Sequence, residues 1–144
     1  MRLDTSAFLA VLLASTGLTQ TDAAALLHVD ARTVRRWLEG TRPTPEVVIE
    51  HLRTWAAALD QASDAIITRM VGGRAVLLLY RRDRDVPPWT GLTTAGCYLA
   101  VVRRVFERRP DIQLIAFDGI AFRWWLRDRT DSEDMRATWA ASRV

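Results

Sequence analysis

The sequence is poor in the residues that carry catalysis and metal binding. Its single cysteine, Cys97, excludes a disulfide framework and any zinc site built on cysteines, and it fits a reducing compartment. The two histidines, His28 and His51, belong to no cluster with metal-ligand spacing, and the chain has no glycine-rich phosphate loop or nucleophile motif. We therefore expect no cofactor, no metal and no enzymatic activity.

Long hydrophobic runs are also missing, since none approaches the ~20 residues that a membrane span requires. The nearest case is the segment FLAVLLA over residues 8–14, which resembles a short signal-peptide core. Asp4 lies in what would be the charged region of such a peptide, and no clear small-x-small cleavage site follows. We interpret the segment as part of a helix over residues 5–15 and expect a cytoplasmic protein with no membrane partner.

Lysine is absent, so all 20 basic residues are arginine, and the net charge is +3. This mildly basic balance only weakly favours a polyanion as partner. The distribution of charge is more informative, because residues 31–42 hold four arginines beside the single acid Glu39. These arginines are Arg32, Arg35, Arg36 and Arg42. Positive charge focused in this way indicates a localised contact with phosphates.

Residues 18–42 have the pattern of two short helices joined by a tight turn. Thr19 is a good N-cap for a helix over residues 20–27, and Asp30 for a second helix over residues 31–39. His28 stands where such a turn often needs a positive φ, which histidine tolerates moderately. This arrangement is typical of a helix-turn-helix, the motif that places its second helix in the DNA major groove.

The second of these helices separates into a buried face and an arginine face. Val34, Trp37 and Leu38 follow the spacing of an inward-facing stripe, which leaves the arginines on the opposite side. Arginine is the usual bidentate partner of guanine, and free amides at a helix start attract phosphate. We predict base contacts from Ala31, Arg32, Thr33 and Arg36, and phosphate contacts from Thr19, Gln20, Arg35 and Arg42.

A long helix is predicted to follow. Its start is indicated by Thr44 as N-cap, by Pro45 at the first helical position and by the acid Glu46 in the first turn. The helix is expected to end near Val71, which places a DNA-binding domain over residues 1–72. Its apolar stripe has coiled-coil spacing and packs either inside one subunit or against a second one. The stripe consists of Val48, Leu52, Trp55, Leu59, Ala62 and Ile66.

Residues 73–144 predict a second domain with β-α-β-α order. Apolar runs at residues 75–80 and 112–117 indicate two strands, joined by a helix over residues 93–109, which implies a parallel pair with a right-handed crossover. The residues expected to face inward from that helix are Leu99, Val102, Val105 and Phe106. Residues 118–129 fit a helix or an Asp-Gly hairpin, and we favour the helix.

Residues 131–144 predict a last helix with Met135 and Trp139 inward. The fold class is therefore α+β, mainly α, with an N-terminal helix-turn-helix domain of four to five helices and a small C-terminal β-α-β-α domain.

The C-terminal domain is expected to dimerise. A two-stranded sheet has open edges, and four of the six tryptophans lie between Trp89 and Trp139, more apolar surface than so small a unit easily buries. A second subunit that covers or extends the sheet would solve both problems. The predicted interface residues are Leu77, Leu79, Ile115, Phe117, Trp124 and Trp125.

The segment TQTDAAALLHVDARTVRRWLEGTRP resembles the helix-turn-helix of Xre/Cro-type regulators. The family's signature positions correspond here to Thr19, Gln20, Ala24, Val29, Val34, Trp37 and Gly40. His28 departs from the glycine that is usual in that family. The order of elements, with VLLLY and IQLIAF as strands, is similar to YdiL-like proteins and to a group of anti-CRISPR-associated repressors. This resemblance implies a homodimer that represses its own operon at an inverted repeat.

From the sequence we expect a sequence-specific regulator that binds double-stranded DNA as a homodimer. The alternative is an antitoxin with the same DNA-binding domain and a C-terminal half that binds a toxin. A toxin gene beside this gene would favour the antitoxin, and an anti-CRISPR or phage gene would favour the repressor. A ligand-responsive regulator is a further alternative, with a pocket lined by Tyr98, Trp124 and Trp125, although core or interface positions are commoner for such residues.

Overall fold

The structure, a computed structural model, describes residues 4–70 and 75–144. The chain forms two compact units, Met1–Ala62 and Ser63–Val144, and the division falls inside a 24-residue helix, Glu46–Arg69. This division comes earlier than the predicted boundary after residue 72. That boundary, and the predicted helix end near Val71, lie outside the described residues. One unit is helical and the other combines helices with a small sheet, which confirms the α+β, mainly α class.

Local sequence signals account for the starts and ends of the helices in the first unit. The helices are α1 (Thr5–Thr16), α2 (Gln20–Leu27), α3 (Ala31–Glu39) and α4 (Glu46–Arg69), whose last turns belong to the second unit. Asp4 accepts hydrogen bonds from the first amides of α1, and Gly17 ends that helix at a φ of 68°. Gly40 ends α3 in the same left-handed conformation, at a φ of 74°. The predicted helices α1 to α3 are confirmed.

The core of the first unit lies where α1, α2, α3 and the start of α4 meet. Its buried apolar residues are Leu9, Leu13, Ala23, Ala24, Val34, Trp37, Val48, Ile49 and Leu52. Phe8 belongs to the apolar segment FLAVLLA, in which helical spacing places it on one face with Leu9, Leu12 and Leu13 and so predicts an inward position. The structure instead leaves Phe8 36% exposed. The guanidinium of Arg53 lies 5.2 Å from the centre of the Phe8 ring and covers part of it.

The start of α4 differs from the prediction. Thr44 is buried and its hydroxyl has no hydrogen-bond partner among the described residues, so its side chain does not cap the helix. The Thr44 amide donates instead to Thr5 Oγ1 at 3.4 Å. The carbonyl of Pro45 accepts from the Val48 amide at 3.0 Å, and α4 begins at Glu46. Thr44 therefore serves to hold this segment against α1.

The apolar stripe along α4 is at least partly internal. Val48, Leu52 and Leu59 are buried within the single chain, whereas Trp55, Ala62 and Ile66 are half-buried. In the second unit, Ile66 packs with Ile67 and Met70 against a cluster of Ala75, Val105 and Ile112.

The second unit is built on two parallel strands, β1 (Val76–Leu79) and β2 (Gln113–Ala116), as the sequence predicts. Val76 lies opposite Gln113 and Leu79 opposite Ala116. The remaining helices are α5 (Ala95–Arg108), α6 (Gly119–Leu126) and α7 (Glu133–Ser142), with single 3-10 turns at Asp83–Asp85 and Pro88–Thr90. Asp118 caps α6 through the amides of Ile120 and Ala121, so residues 118–129 form the favoured helix and not a hairpin.

The inward face of α5 is rotated from the predicted one. Val102 and Val105 are buried as expected, but Leu99 is 50% exposed and Phe106 is 45% exposed, so those two assignments are wrong. The buried positions are Cys97, Tyr98, Ala100, Val101, Val102 and Val105. Because α5 carries apolar residues around most of its circumference, the spacing alone did not identify the side that meets the sheet.

An arginine lies at the centre of an aromatic cluster in the second unit. Phe117 packs against Tyr80, Phe122 and Trp139, with ring centres 5.1, 5.4 and 5.7 Å away. The Arg136 guanidinium lies 4.5 Å from the Phe117 ring centre, and its side chain is only 12% exposed. It donates to the Asp131 carboxylate at 2.7 Å and to the Asp85 carbonyl at 2.7 Å. We name Arg136, Tyr80, Phe117, Phe122 and Trp139 the arginine-aromatic cluster.

Among the described residues, no single helix has both the length and the apolar character that a membrane crossing requires. The α1–α2 pair meets the test only when the two helices are taken together, and they are bent by 99° at their junction.

Candidate nucleic-acid interface

The turn between α2 and α3 is closed by backbone hydrogen bonds. His28 adopts the left-handed conformation at φ 55° and ψ 41°, as its position predicts. The amides of His28 and Val29 donate to the carbonyls of Ala25 and Ala24 at 3.3 and 3.0 Å, which satisfies the end of α2. Asp30 then accepts from the Thr33 amide at 2.8 Å and starts α3. Three residues therefore join the two helices, and the predicted helix-turn-helix geometry is present.

The inner face of α3 is anchored in the core of the first unit. Val34 is fully buried and Trp37 is 3% exposed, while Leu38 is half-buried and packs against the same core. The Trp37 indole N–H has no hydrogen-bond partner among the described residues, so apolar packing alone holds this ring. A helix fixed along one side in this way presents its other side in a defined orientation.

The outer face of α3 carries the arginines. Thr33 is half-buried, and the exposed residues of this face are Ala31, Arg32, Arg35, Arg36 and Glu39. Within residues 4–70 and 75–144, no ion pair or side-chain hydrogen bond engages the guanidinium of Arg35, Arg36 or Arg42. Glu39 likewise forms no ion pair there. These cations are therefore available to an external anion without breaking an internal contact.

Asp30 places a negative charge at the start of α3. The hydrogen bond from the Thr33 amide holds the pKa of Asp30 below its usual value, and the charge of nearby Arg32 acts in the same direction. Asp30 is therefore ionised at neutral pH and occupies the amides at this helix end. The carboxylate therefore makes this helix end unfavourable for a phosphate or another anion.

The predicted phosphate contacts Thr19 and Gln20 lie at the start of α2, and both are exposed. Thr19 and Asp22 form a capping box, in which Thr19 Oγ1 accepts from the Asp22 amide at 3.0 Å. The Asp22 carboxylate accepts in turn from the Thr19 amide at 3.2 Å. The Thr19 hydroxyl hydrogen and the Gln20 side chain are left to donate outward. Arg42, another predicted phosphate contact, follows the end of α3 and is exposed.

The structure places the six predicted dimerisation residues in four different environments. Leu77, Leu79 and Ile115 lie half-buried on the two-stranded sheet, and Leu77 packs against the cluster of Ala75, Val105 and Ile112. Phe117 belongs to the arginine-aromatic cluster of its own unit. Trp125 stacks on Phe122 at 6.0 Å, whereas Trp124 is 79% exposed. Of these six, Trp124 is the side chain most available to a partner.

Two residues of the second unit, Arg136 and Ile120, escaped the sequence reasoning, whereas Trp124 is one of the predicted interface residues. Arg136 stands one helical turn before Trp139 on α7, so its spacing already indicated the same inward face. The exposed pair of Ile120 and Trp124 on α6 has i, i+4 spacing, and a helical wheel of residues 119–126 would have shown it opposite Phe122 and Leu126.

Among the described residues, no group of three or more histidine, cysteine, aspartate or glutamate side chains is arranged to hold a metal ion. The candidate site is thus an exposed arginine face on a core-anchored helix, preceded by a second helix and a three-residue turn.

This arrangement defines a helix-turn-helix domain. A family model described as a homeodomain-like domain matches residues 7–42, which include α2, the turn, α3 and most of α1. Residues 7–42 of the first unit are therefore similar to homeodomain-like helix-turn-helix domains, a class of domain that DNA-binding regulators use. No curated protein matches the chain significantly.

Proposed function

We propose that this protein is a sequence-specific transcription regulator that binds double-stranded DNA through α3. One observation carries the proposal. The Arg35 and Arg36 guanidinium groups are exposed and free of internal ion pairs, directly opposite the buried Val34 and Trp37. The match of residues 7–42 to homeodomain-like domains supports the same conclusion. Such a regulator acts on DNA in the cytoplasm.

Within the proposed interface, Arg32 and Arg36 read base edges. They are four residues apart on α3 and project from the same side. Each bidentate contact with guanine discriminates against a wrong base by about 1–3 kcal/mol. Ala31 and Thr33 are small enough to approach a thymine methyl group. Phosphate contacts from Thr19, Gln20, Arg35 and Arg42 fix the register of α3, and their charge makes binding weaken as salt rises.

The proposed regulator acts as a homodimer on an inverted repeat and represses its own operon. This part rests on the resemblance to Xre/Cro-type, YdiL-like and anti-CRISPR-associated repressors, and on the element order β1-α5-β2-α6-α7 in the second unit. A two-fold dimer places two copies of α3 about 34–36 Å apart, which fixes the separation of the half-sites.

Selection of bound duplexes from a random DNA pool tests the proposal. We expect enrichment of a palindrome whose half-sites are centred about 10 base pairs, or a multiple of a helical turn, apart. The double variant Arg32→Ala/Arg36→Ala should enrich no motif. The matched control Arg81→Ala/Arg82→Ala removes two exposed arginines outside α3 and should enrich the wild-type motif. Recovery of random sequences by the wild-type protein would contradict the proposal.

A further inference from the structure

The outward face of α6 carries exposed apolar surface that its own unit does not cover. Ile120 is 66% exposed and Trp124 is 79% exposed. The two residues are four positions apart, so their side chains lie on one face, opposite the buried Phe122 and Leu126. An exposed tryptophan beside an exposed isoleucine is the composition of an interface anchor.

Charge is distributed unevenly along this face. Asp118, an exposed carboxylate, stands at the start of α6, where it accepts from the amides of Ile120 and Ala121. Arg123 and Arg127 stand toward the end, and neither guanidinium is in an ion pair with any described residue. The exposed Asp128 lies beside Trp124 and Arg127, so two cations and one anion meet at this end. The beginning of the helix is therefore negative and its end carries a net positive charge.

The backbone at Arg127 is in a conformation that favours glycine. Arg127 has φ 55° and ψ −122°, and the Arg129 amide donates to the Leu126 carbonyl at 3.1 Å. This is the geometry of a type II′ turn with Arg127 at its first central position, where glycine is the usual residue. An arginine there is strained, and strain of this kind is concentrated at functional positions. The strained residue supplies the positive end of the α6 face.

We propose that the α6 face, defined as Asp118, Ile120, Arg123, Trp124 and Arg127, binds the α6 face of a second copy of this chain in antiparallel orientation. Ile120 of each copy packs against Trp124 of the other, and Arg127 of each copy pairs with Asp118 of the other. Two-fold symmetry makes the contact self-complementary. This inference rests on the proposed function, for which it names the surface that joins the two DNA-binding units.

Charge complementarity favours this occupant over others. An antiparallel pair brings opposite charges together at both ends of α6, whereas a parallel pair would place Arg123 and Arg127 beside their own copies. A DNA duplex would meet the Asp118 carboxylate, and phosphates would leave Ile120 uncovered. A second copy covers both apolar residues and neutralises both ends.

The size of the face sets the strength of the dimer. An eight-residue helix is about 12 Å long, and its face is smaller than the roughly 800 Å² per partner of a stable interface. We therefore expect the free dimer to have a dissociation constant in the micromolar range. Binding of two copies to an inverted repeat should then hold the dimer together.

The weight-average mass of the full chain, measured by sedimentation equilibrium from about 1 to 200 µM, tests the inference. The wild-type mass should rise from 16.3 kDa toward twice that value. Trp124→Ala should weaken association at least about tenfold. Phe106→Ala is the matched control, since it removes an exposed aromatic ring from α5, and it should leave the association unchanged.

Arg127→Gly separates the interface from folding. It removes the strained residue, so the melting temperature should stay the same or rise, while the dimer should weaken about tenfold because the pair with Asp118 is lost. A dimer as strong as that of the wild type would overturn the role of Arg127, whatever the melting temperature.

A wild-type mass of 16.3 kDa at every concentration, or dissociation by Phe106→Ala and not by Trp124→Ala, would overturn the inference. An unchanged mass for Trp124→Ala with weaker DNA binding would assign the face to nucleic acid and would overturn it as well. The proposed function is tested separately with a duplex that carries one half-site. Trp124→Ala should bind that duplex like the wild type, and loss of selective half-site binding by the wild type would contradict the function whatever the mass.

Discussion

His28 occupies the left-handed backbone conformation for which glycine is the least costly residue. Its φ of 55° and ψ of 41° let the chain reverse between α2 and α3 within three residues. A non-glycine residue in this conformation is disfavoured by about 1–2 kcal/mol, part of which a glycine would lose again through its greater freedom in the unfolded chain.

Replacement of His28 by glycine should therefore stabilise the protein. We expect His28→Gly to raise the free energy of unfolding by about 0.5–1 kcal/mol, because the strain in the turn is relieved. The control His28→Val should lower it, since a β-branched residue fits this conformation poorly. Urea unfolding of the three proteins measures both effects. A less stable glycine variant would show that the histidine side chain holds the turn through a contact of its own.

At the residue scale, a residue's role could be predicted from the sequence when neighbouring residues in the chain determine that role. Thr19 and Asp30 were assigned correctly because N-caps depend on the few residues around them. Thr44 was assigned wrongly as a cap because its hydroxyl is buried through packing against a distant helix. Arg127 gave no signal at all, since the type II′ turn contains neither glycine nor asparagine.

At the scale of the element, the cap at the start of α3 makes the stability of that helix depend on pH. The pKa of Asp30 is lowered by its hydrogen bond from the Thr33 amide. A carboxyl group with a lowered folded-state pKa stabilises the fold above its unfolded-state pKa, and that stabilisation is lost as the pH falls through the folded-state pKa. The cap of α3 should therefore weaken below the ordinary aspartate pKa of 3.8.

The substitution Asp30→Asn tests this link, because asparagine caps helices as well as aspartate but does not titrate. We expect the melting temperature of the wild type to fall more steeply than that of Asp30→Asn as the pH drops from 5 to below 3.8. Part of the decrease should remain in the variant, since the pKa of Asp4 at the start of α1 is also lowered. Parallel curves for the two proteins would show that Asp30 does not contribute through its charge.

The arginine-aromatic cluster joins α7 to the loop after β1 and to the start of α6. Arg136 is held by Asp131, by the Asp85 carbonyl and by the Phe117 ring, each through a different element. Burial lowers the pKa of Arg136, but its hydrogen bonds to Asp131 and Tyr80 outweigh that effect and raise it, while burial raises the pKa of Tyr80. The cation is thus kept charged inside the unit.

Arg136→Ala should destabilise the second unit by about 3 kcal/mol, the lower end of the range for breaking a buried ion pair, because Asp131 remains partly in water. Arg143→Ala is the matched control, at the residue that directly follows α7. Arg143 also lies over an aromatic ring, 5.4 Å from the centre of Trp139, but it is exposed, so the expected loss is below about 1 kcal/mol. Denaturant unfolding followed by near-UV circular dichroism measures both, and equal losses would contradict an internal role for Arg136.

Elements with one clear apolar stripe were easier to predict than elements with several. Helix α3 has one such stripe, and its buried Val34 and Trp37 match the prediction. Helix α5 has apolar residues on most sides, and the inward set depended on where the sheet lies, which the spacing does not contain.

At the scale of the molecule, the sequence predicted a helix-turn-helix part followed by a part with parallel strands, and both are present. The position of the division was harder to predict, because it falls inside the continuous helix α4 with no glycine, proline or change of composition to mark it. The base, phosphate and interface contacts remain predictions, since they depend on partners outside the chain.

The central claim is that the outward arginines of α3 read DNA sequence. Equilibrium binding of the full chain to the selected palindrome and to a scrambled duplex, at one salt concentration, tests it most directly. For Arg36→Ala, we predict that the ratio of the two affinities falls at least about fivefold per half-site, because one base contact is lost. The control Arg81→Ala should keep the wild-type ratio. An unchanged ratio for Arg36→Ala would contradict the account.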